Sequence, residues 1–404
     1  MHFLTVLYSR AMGLLSRIML KFISLSSPLI YSGAGSYATL CSAIARFGHK
    51  KVLVVTDKML VELGLVGQVV AELEKQGIQT EIYDAVLPDP DFSQVENGIK
   101  HCLQHSCDAV LAIGGGSSLD AAKVIAICSG SDQAPRDILG YFSVSSRGFP
   151  IYCIPTTAGT GSEATMVSVI TDAEARTKCF IVDPKLVPNA VALDPSLMTG
   201  LPPAITAATG MDALTHAIES SLSREASDDT QTKALTAVGM IFGNLETAVK
   251  DGSNLEAREA MAVASFYAGA AFTITNVGYV HGLAHQLGAI CHLPHGLANA
   301  LFLPHILEFY IDKAAPQMAR IAKAAGVGSD SDSDAQRARA LVDAVRQLEA
   351  NIGIPQYADA LKPEMVEELV DRALHESHGL YGYPVPKYMR RAECEEIVRR
   401  LLPA

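Results

Sequence analysis

The sequence lacks any Cys-x-x-Cys pair, although it holds eight cysteines spread over 404 residues. Scattered cysteines in a chain of this length are typical of reduced thiols in a reducing compartment, so we expect a cytoplasmic protein rather than a disulfide scaffold or a zinc ribbon. The chain also lacks an excess of positive charge, since its formal net charge is -11 at pH 7. Without basic patches to contact phosphates, we expect no nucleic-acid partner.

Charged residues are scarce as well, at 19% of the chain against 49% hydrophobic residues. This composition excludes disorder of the low-hydropathy, high-charge kind and leaves ample material for a large core. We find no internal repeat along the chain. A length of 404 residues favours two domains rather than one.

Residues 1–27 contain no acidic residue but carry Arg10, Arg17 and Lys21, which share one side of a helix at spacings of seven and four. No apolar run in this segment approaches the ~20 residues that span a bilayer, and the arginines would break the apolar core of a signal peptide. One interpretation is a basic amphipathic helix in peripheral contact with the inner face of the membrane. The other is an extension packed on the protein's own surface, or a consequence of an upstream start codon.

Residues 28–200 alternate short apolar runs with amphipathic ones. Strands are predicted at 51–57, 79–83, 109–113 and 151–155, and helices at 65–76 and 92–105. Because the strands are continuously apolar rather than alternating, we expect a buried parallel sheet. Residues 28–200 are therefore predicted to form an α/β domain.

Residues 201–404 have a different character, since strand-like runs disappear and helical periodicity dominates. Helices are predicted at 203–216, 230–250, 255–272, 283–310 with a break near Pro294, 316–325, 334–352, 364–375 and 392–402. The second domain is therefore predicted to be all-α.

The run Gly114–Lys123, which reads Gly-Gly-Gly-Ser-Ser-Leu-Asp-Ala-Ala-Lys, follows a predicted strand and opens a helix. Three glycines let the backbone approach a bulky anion, and a helix start offers free N–H groups, so a diphosphate is a natural guest. The run is neither the G-x-G-x-x-G fingerprint nor a Walker loop. The alternative is a tight turn in which Ser117 and Asp120 form a capping box, and both interpretations can hold together.

Three further patterns bear on nucleotide binding. Asp57 ends the first predicted strand, where an acid binds ribose hydroxyls and repels a 2′-phosphate, which favours NAD over NADP; simple capping is the alternative. Pro155–Glu163 supplies small residues and hydroxyl donors that suit a pyrophosphate or nicotinamide, or an ordinary polar turn. Gly33–Ala38 matches G-x-G-x-x-A, but no strand is predicted before it, so we interpret it as a tight turn entering a helix.

Asp212 and His216 are spaced four apart, so on a helix they share a face and can bind one ion. Four more histidines follow between positions 281 and 295, two of them again four apart. They are His281, His285, His292 and His295. A carboxylate with several imidazoles suits Fe²⁺ or Zn²⁺ rather than a thiolate site. The spacing predicts a metal centre but leaves open which of the later histidines are ligands.

Taken together, these motifs resemble the iron-containing (group III) alcohol dehydrogenase family, to which lactaldehyde reductase and short-chain butanol and ethanol dehydrogenases belong. The resemblance runs in order from about Pro28 to Tyr310. It is carried by Gly114–Lys123, Pro155–Glu163, Thr209–Glu219, His281–Ala289 and Pro294–Asn299. The implied fold is an α/β N-terminal dinucleotide-binding domain with a parallel sheet plus an all-α C-terminal domain, as in dehydroquinate synthase.

The resemblance also implies an activity: metal-dependent, reversible hydride transfer between a small alcohol or aldehyde and NAD(H), with Fe²⁺, or alternatively Zn²⁺, in a homodimer. The implied metal ligands are Asp212, His216, His281 and His295. The implied proton relay is His285. The implied cofactor contacts are Asp57, Gly115, Gly116, Ser117, Asp120, Thr156, Thr157, Thr160 and Lys178.

Two alternatives remain beside this activity. A dehydroquinate-synthase-like or glycerol-type polyol enzyme on the same scaffold would need basic residues for a phosphate, yet no Lys/Arg cluster of that kind lies between Asp212 and His295. A membrane-associated metal-binding scaffold would use residues 1–27. Phe272–Tyr279 and Tyr383–Lys387 depart from the family pattern, so the motifs do not specify the substrate.

Overall fold

The computed structural model describes residues 26–175, 177–379 and 382–403. The helix predicted within residues 1–27 therefore lies almost entirely outside the described residues. The chain divides into two compact units, the first ending at Gly200 and the second beginning at Leu201. The first unit combines strands and helices, and the second is helical.

A six-stranded sheet forms the centre of the first unit, and all its neighbouring strands are parallel, in the order β1-β9-β6-β4-β2-β3. The strands are β1 (Leu29–Ser32), β2 (Lys51–Val55), β3 (Gln79–Tyr83), β4 (Ala109–Gly114), β6 (Ile151–Pro155) and β9 (Ala190–Leu193). The central strands β4 and β6 are buried along their whole length. Burial on both faces explains their continuously apolar sequences and confirms the predicted parallel sheet.

Five helices accompany this sheet. They are α1 (Ser36–Arg46), α2 (Lys58–Glu62), α3 (Leu65–Lys75), α4 (Phe92–Gln104) and α5 (Gly116–Ser129). Leu40 from α1 and Val69 from α3 are buried in one cluster with Leu111 of β4. The amphipathic periodicity of α3 thus places its apolar face in the core, as predicted, and the helix predicted at 92–105 is present as α4.

A second, three-stranded sheet in the first unit was not predicted. It contains β5 (Gly140–Tyr141), β7 (Val167–Asp172) and β8 (Thr177–Val182), with β7 and β8 antiparallel. These strands are short or only partly buried, and β7 mixes apolar residues with serine, threonine and aspartate. Such segments carry little of the continuous apolar signal that marks a buried parallel strand.

The interpretation of Gly33–Ala38 was partly wrong. Strand β1 precedes it and pairs with β9, although no strand was predicted there. Leu29 and Ile30 are exposed edge-strand residues, so the burial signal was weak. The tight turn is confirmed, since Gly33 and Gly35 adopt φ values of 101° and 83° before α1 begins.

The second unit contains helices only, among the residues described after Gly200. They are α6 (Pro203–Leu222), α7 (Asp228–Lys250), α8 (Leu255–Thr275), α9 (Tyr279–Cys291), α10 (His295–Ala324), α11 (Asp334–Asn351), α12 (Val366–Ser377) and α13 (Arg391–Arg399). The predicted break near Pro294 separates α9 from α10. The helices predicted at 283–310 and 316–325 instead run together through a kink at Ala314, two residues before Pro316.

A sharp bend of 104° separates α8 from α9. Asn276 ends α8 with a φ of 60°, and its side-chain Oδ1 accepts a hydrogen bond from the backbone N–H of Val277 at 2.8 Å. Among the described residues, no single helix has the length and apolar character needed to cross a bilayer, whereas this bent pair meets those two criteria together.

Candidate functional site

The two glycine- and threonine-rich loops of the first unit lie side by side. Strands β4 and β6 are neighbours, and their last residues, Gly114 and Pro155, are paired in register. The backbone N–H of Thr156 donates to the carbonyl oxygen of Gly114 at 2.9 Å. The two predicted cofactor loops therefore meet at the carboxyl edge of the sheet, the usual position of a nucleotide in open α/β folds.

The glycines of the first loop are required by close packing. Gly114 has a φ of 153°, and a Cβ there would lie 2.6 Å from Ser118 Oγ. A Cβ on Gly116 would lie 2.7 Å from Thr160 Cγ2. Helix α5 begins at Gly116 with Gly115 as its N-cap and no side-chain cap, so the predicted Ser117–Asp120 capping box is wrong. A glycine cap leaves the first N–H groups of the helix without a side-chain acceptor.

Asp120 and Lys123, on the helix that follows the first loop, form hydrogen bonds to the segment that follows β6. Asp120 accepts hydrogen bonds from Ser162 Oγ at 2.6 Å and from the backbone N–H of Val169 at 3.0 Å. Lys123 Nζ donates to the carbonyl oxygens of Ser162 and Val167 at 2.6 and 2.8 Å. Burial raises the pKa of Asp120 and lowers that of Lys123. Their contacts indicate that both residues hold the loop after β6 in place.

Asp57 and Lys178 have partners of their own. Asp57 caps α2, where its Oδ1 accepts from the N–H of Leu60 at 3.0 Å. The alternative capping role is therefore present, and it leaves the second carboxylate oxygen for another donor. Lys178 Nζ lies 2.9 Å from Asp89 Oδ1 and is one-third exposed. The structure thus connects Lys178 to the loop after β3.

In the second unit, four predicted ligands from three helices converge; we call Asp212, His216, His281 and His295 the Asp–His cluster. From Asp212 Oδ1, the Nε2 atoms of His216, His281 and His295 lie at 4.0, 3.7 and 3.5 Å. Asp212, His216 and His281 are buried, whereas the His295 side chain is one-third exposed. The i,i+4 pair on α6 shares a face, as predicted.

Asn299 occupies the point on which the Asp–His cluster converges. Its Nδ2 donates to Asp212 Oδ1 at 2.7 Å and lies 3.2 Å from the Nε2 atoms of both His281 and His295. Its Oδ1 is buried and has no hydrogen-bond partner among the described residues. Electron-pair donors thus surround a group with positive character. This donor set fits a divalent iron or zinc ion.

The charges of the Asp–His cluster also favour a divalent metal ion. Burial would raise the pKa of Asp212, but the neighbouring imidazoles hold it well below its usual range. Burial would lower the pKa of His281, but the neighbouring carboxylates of Asp212 and Glu219 raise it to about 9. The carboxylate therefore stabilises positive charge at this point, and a metal ion would replace the protons.

Glu219, which was not predicted as a site residue, supports the Asp–His cluster from one turn beyond His216. Its Oε2 accepts from His281 Nδ1 and from the N–H of Gly278, both at 2.7 Å, and its Oε1 accepts from the N–H of Val280 at 2.8 Å. One carboxylate therefore caps the start of α9 and fixes the proton of His281 on Nδ1. Nε2 is then the nitrogen that can bind a metal.

His285 has a different partner, again missed by the sequence. Its Nδ1 lies 2.6 Å from Glu376 Oε1 on α12, and that carboxylate also accepts from Gln286 Nε2 at 2.6 Å and from Tyr383 Oη at 2.5 Å. Burial would raise the pKa of Glu376, but His285 outweighs burial and lowers it. His285 also stacks on His295 with ring centroids 5.3 Å apart.

His292, the fourth histidine of this stretch, is exposed and ends α9 with a φ of 55°. The structure places the four later histidines differently. His281 and His295 face Asp212, His285 faces Glu376, and His292 lies outside the cluster. No motif spacing signals Glu219 or Glu376, except that Glu219 falls one helical turn after His216.

Comparison with known proteins gives matches to both units. A family model described as iron-containing alcohol dehydrogenase matches residues 27–195, and one for the C-terminal part of the Fe-containing alcohol dehydrogenase family matches residues 206–402. NAD-dependent methanol dehydrogenase from Bacillus methanolicus is 37% identical, covering 86% of this chain and 92% of its own. Lactaldehyde reductase from Escherichia coli K12 is 38% identical, covering 80% and 85%.

Solved structures give the same result. The crystal structure of 1,3-propanediol oxidoreductase superposes with a TM-score of 0.89 at 35% identity. The match covers 94% of this chain and 100% of that chain. The fold predicted from sequence is therefore confirmed.

Proposed function

Because the chain belongs to the iron-containing alcohol dehydrogenase family, we propose that its Asp–His cluster binds the divalent iron ion. The protein is an NAD-dependent oxidoreductase that transfers a hydride reversibly between a small alcohol or aldehyde and NAD(H). The polyol-enzyme and membrane-scaffold alternatives are not favoured, because both units match alcohol dehydrogenase models. Zn²⁺ would suit the same nitrogen and oxygen donors.

The observation that carries this proposal is the approach of three imidazoles to within 4.0 Å of Asp212 Oδ1, with the ligand atoms of Asp212, His216 and His281 all within 4.8 Å of one another. Iron held there would supply Lewis acidity toward the alcohol oxygen. Within the chain, Asp212 supplies the negative charge of the site, and Glu219 holds His281 in the tautomer that presents Nε2.

His285 is proposed as the proton relay. Its Nδ1 faces Glu376, so the imidazole would exchange the alcohol proton through Nε2. Glu376 would fix the ring orientation and tautomer of His285 and so act through it, which makes Glu376 a positioning residue. We expect Glu376→Gln to lower kcat about tenfold or more with unchanged iron content, within the range that general acid–base catalysis contributes.

A matched control for this pair is Tyr383→Phe, which removes one donor to Glu376 and leaves its bond to His285. Steady-state kinetics should show a smaller decrease for Tyr383→Phe than for Glu376→Gln. Equal kcat values for Glu376→Gln and the unaltered protein would refute the positioning role.

The cofactor contacts are proposed for the two adjoining loops of the first unit. The N–H groups at the start of α5, from Gly115 to Ser117, would bind the pyrophosphate, and the threonines at 156, 157 and 160 would contribute hydroxyl donors. Asp57 would bind the adenosine ribose, and Lys178 would reach the cofactor ribose from β8. Asp120 would act indirectly, through Ser162, because its carboxylate accepts a hydrogen bond from the Ser162 hydroxyl.

The experiment that tests the metal assignment is His281→Ala. We expect loss of nearly all bound iron and of alcohol-dependent NADH formation, because the substitution removes one of the ligands and leaves Glu219 without its imidazole donor. Iron content and activity are measured on anaerobically loaded protein. His292→Ala is the matched control and should retain both, since His292 is exposed at the opposite end of the same helix. Full iron occupancy in His281→Ala would refute the assignment.

Assembly and location are proposed from the family and from the sequence. We propose a cytoplasmic homodimer, with residues 1–27 in peripheral contact with the inner face of the membrane through their basic residues. Light scattering measures the molar mass in solution and so tests the homodimer.

Flotation with anionic vesicles tests the membrane contact by comparing the full chain with a chain that lacks residues 1–27. Equal flotation of the two proteins would exclude the contact.

A further inference from the structure

A second group of histidines lies in the first unit, at the free edge of the parallel sheet. Edge strand β3 carries Glu81, and His101 and His105 follow on α4 and at its C-terminal end. The two histidines are four residues apart, so they share one face of the helix. One side-chain donor atom from each of the three residues lies within 4.8 Å of the others.

The contacts within this group are close. His105 Nδ1 lies 3.1 Å from Glu81 Oε1, and the two imidazole rings stack with centroids 4.5 Å apart at 30°. Lys51 Nζ lies 2.8 Å from the same Glu81 oxygen. The carboxylate thus already attracts a positive group between β3 and the helix.

A second, independent observation concerns His101. Its Nε2 is buried and has no hydrogen-bond partner among the residues that the structure describes. A buried polar nitrogen is rarely left without a partner in a folded protein. An imidazole nitrogen can be satisfied by an electron-pair acceptor, and a transition-metal ion is one.

We propose that Glu81, His101 and His105 form a second metal site, which takes a divalent ion of the borderline class such as Zn²⁺. Two imidazoles and one carboxylate, with water as the fourth ligand, are a common zinc donor set. At zinc–nitrogen distances of about 2.0 Å, tetrahedral donors lie about 3.3 Å apart, so the three side chains must draw together by rotation. All three are only half-buried, which leaves room for that rotation.

The bound ion would link edge strand β3 to helix α4. This site is separate from the Asp–His cluster, which lies in the second unit, and it does not depend on the proposed function. Its expected effect is stabilisation of the first unit, because an ion that binds the folded form shifts the folding equilibrium toward it.

The test uses the full chain and zinc as the only metal. The unaltered protein should bind two Zn²⁺ per chain in calorimetric titration, and His105→Gln should bind one. His281→Ala should lose the other equivalent, so failure at one site is distinguished from failure at the other. His49→Gln is the matched control, because His49 faces a single carboxylate, Asp108, at 3.6 Å. It should retain both equivalents.

Lys51 provides the sharpest variant. Lys51→Met removes a positive charge beside the ion and should tighten the second zinc equivalent about tenfold. Its effect on the zinc equivalent bound by the Asp–His cluster should be negligible. A zinc stoichiometry in His105→Gln equal to that of the unaltered protein, or weaker binding at this site in Lys51→Met, would each overturn the proposal.

Cobalt reports the ligand type at this site. Co²⁺ in the second site should give visible absorption without a thiolate charge-transfer band, although Cys102 lies between the two histidines in the chain and Cys107 follows them. Their thiols are buried. A thiolate band lost in Cys107→Ser would overturn the assignment to Glu81 and the two histidines.

Discussion

Glu219 is the residue that joins the metal centre to the fold, since one carboxylate accepts from His281 Nδ1 and from two backbone N–H groups at the start of α9. A Cβ on Gly278 would lie 2.6 Å from its Oε1, so only glycine lets the chain pass this close. Ligand and helix are therefore positioned by the same group.

We expect Glu219→Gln to weaken metal binding about 10–100-fold, because a carboxamide holds the His281 N–H less strongly and presents a donor to the backbone N–H groups. The measurement is the rate at which a chelator removes the ion. A control is Glu225→Gln, a glutamate on the loop after the same helix. A removal rate in Glu219→Gln equal to that of the unaltered protein would contradict the positioning role.

Glu163 is a buried carboxyl at the end of the second cofactor loop, and burial raises its pKa from 4.5 to about 7. The folded state therefore keeps a proton that the unfolded state has released between these values. Stability from this group is fully present below pH 4.5 and is lost as the pH rises through 7.

We therefore expect Glu163→Gln to leave the free energy of unfolding nearly unchanged at pH 5 and to raise it by about 1–3 kcal/mol at pH 8. Urea unfolding of the metal-free protein at both values measures this difference. A larger gain at pH 5 than at pH 8 would show that the carboxyl is ionised in the folded protein throughout.

At the scale of elements, the metal centre depends on how closely α6 and α10 approach. A Cβ on Gly296 would lie 2.2 Å from the carbonyl oxygen of Ala208 and 3.3 Å from Asp212 Cβ. The absence of a side chain at Gly296 thus allows the helix that begins with His295 to lie against the one that carries Asp212.

Gly296→Ala should lower the free energy of unfolding by about 1–3 kcal/mol, because backbone atoms must move to admit the methyl group. Metal affinity should fall with it. The matched control is Gly243→Ala on α7, where a Cβ meets nothing within 4 Å. This substitution should stabilise the helix by about 0.5–1 kcal/mol. The urea midpoints of the two variants measure these changes in stability, and equal shifts would contradict the packing argument.

Elements were predictable where one physical signal dominates. The continuously apolar strands β2, β4 and β6 were predicted close to their observed bounds, as were the helices at 230–250, 255–272, 334–352 and 364–375. The helix predicted at 203–216 continues to Leu222, and the bounds predicted from 283 to 325 were wrong. The exposed edge strand β1 and the small sheet of β5, β7 and β8 were missed, because partial burial leaves no clear apolar pattern. Whether such segments form strands depends on pairing with strands that are distant in the sequence.

At the scale of the whole molecule, the family and fold were predictable from a few motifs in order, and both units match that family. The supporting carboxylates Glu219 and Glu376 were not predictable from those motifs. Glu376 lies 91 positions from His285 in the chain, so only the folded structure brings them together. The same holds for Asn299 at the centre of the Asp–His cluster, which spacing alone could not assign.

The central claim is that the Asp–His cluster is the metal centre. Crystals loaded anaerobically with Fe²⁺ and measured across the iron absorption edge test it most directly. We predict one strong anomalous peak in the second unit, within about 2.0–2.3 Å of Asp212 and of Nε2 of each cluster histidine. A second unit with no iron peak, or a peak bounded by other side chains, would contradict the account.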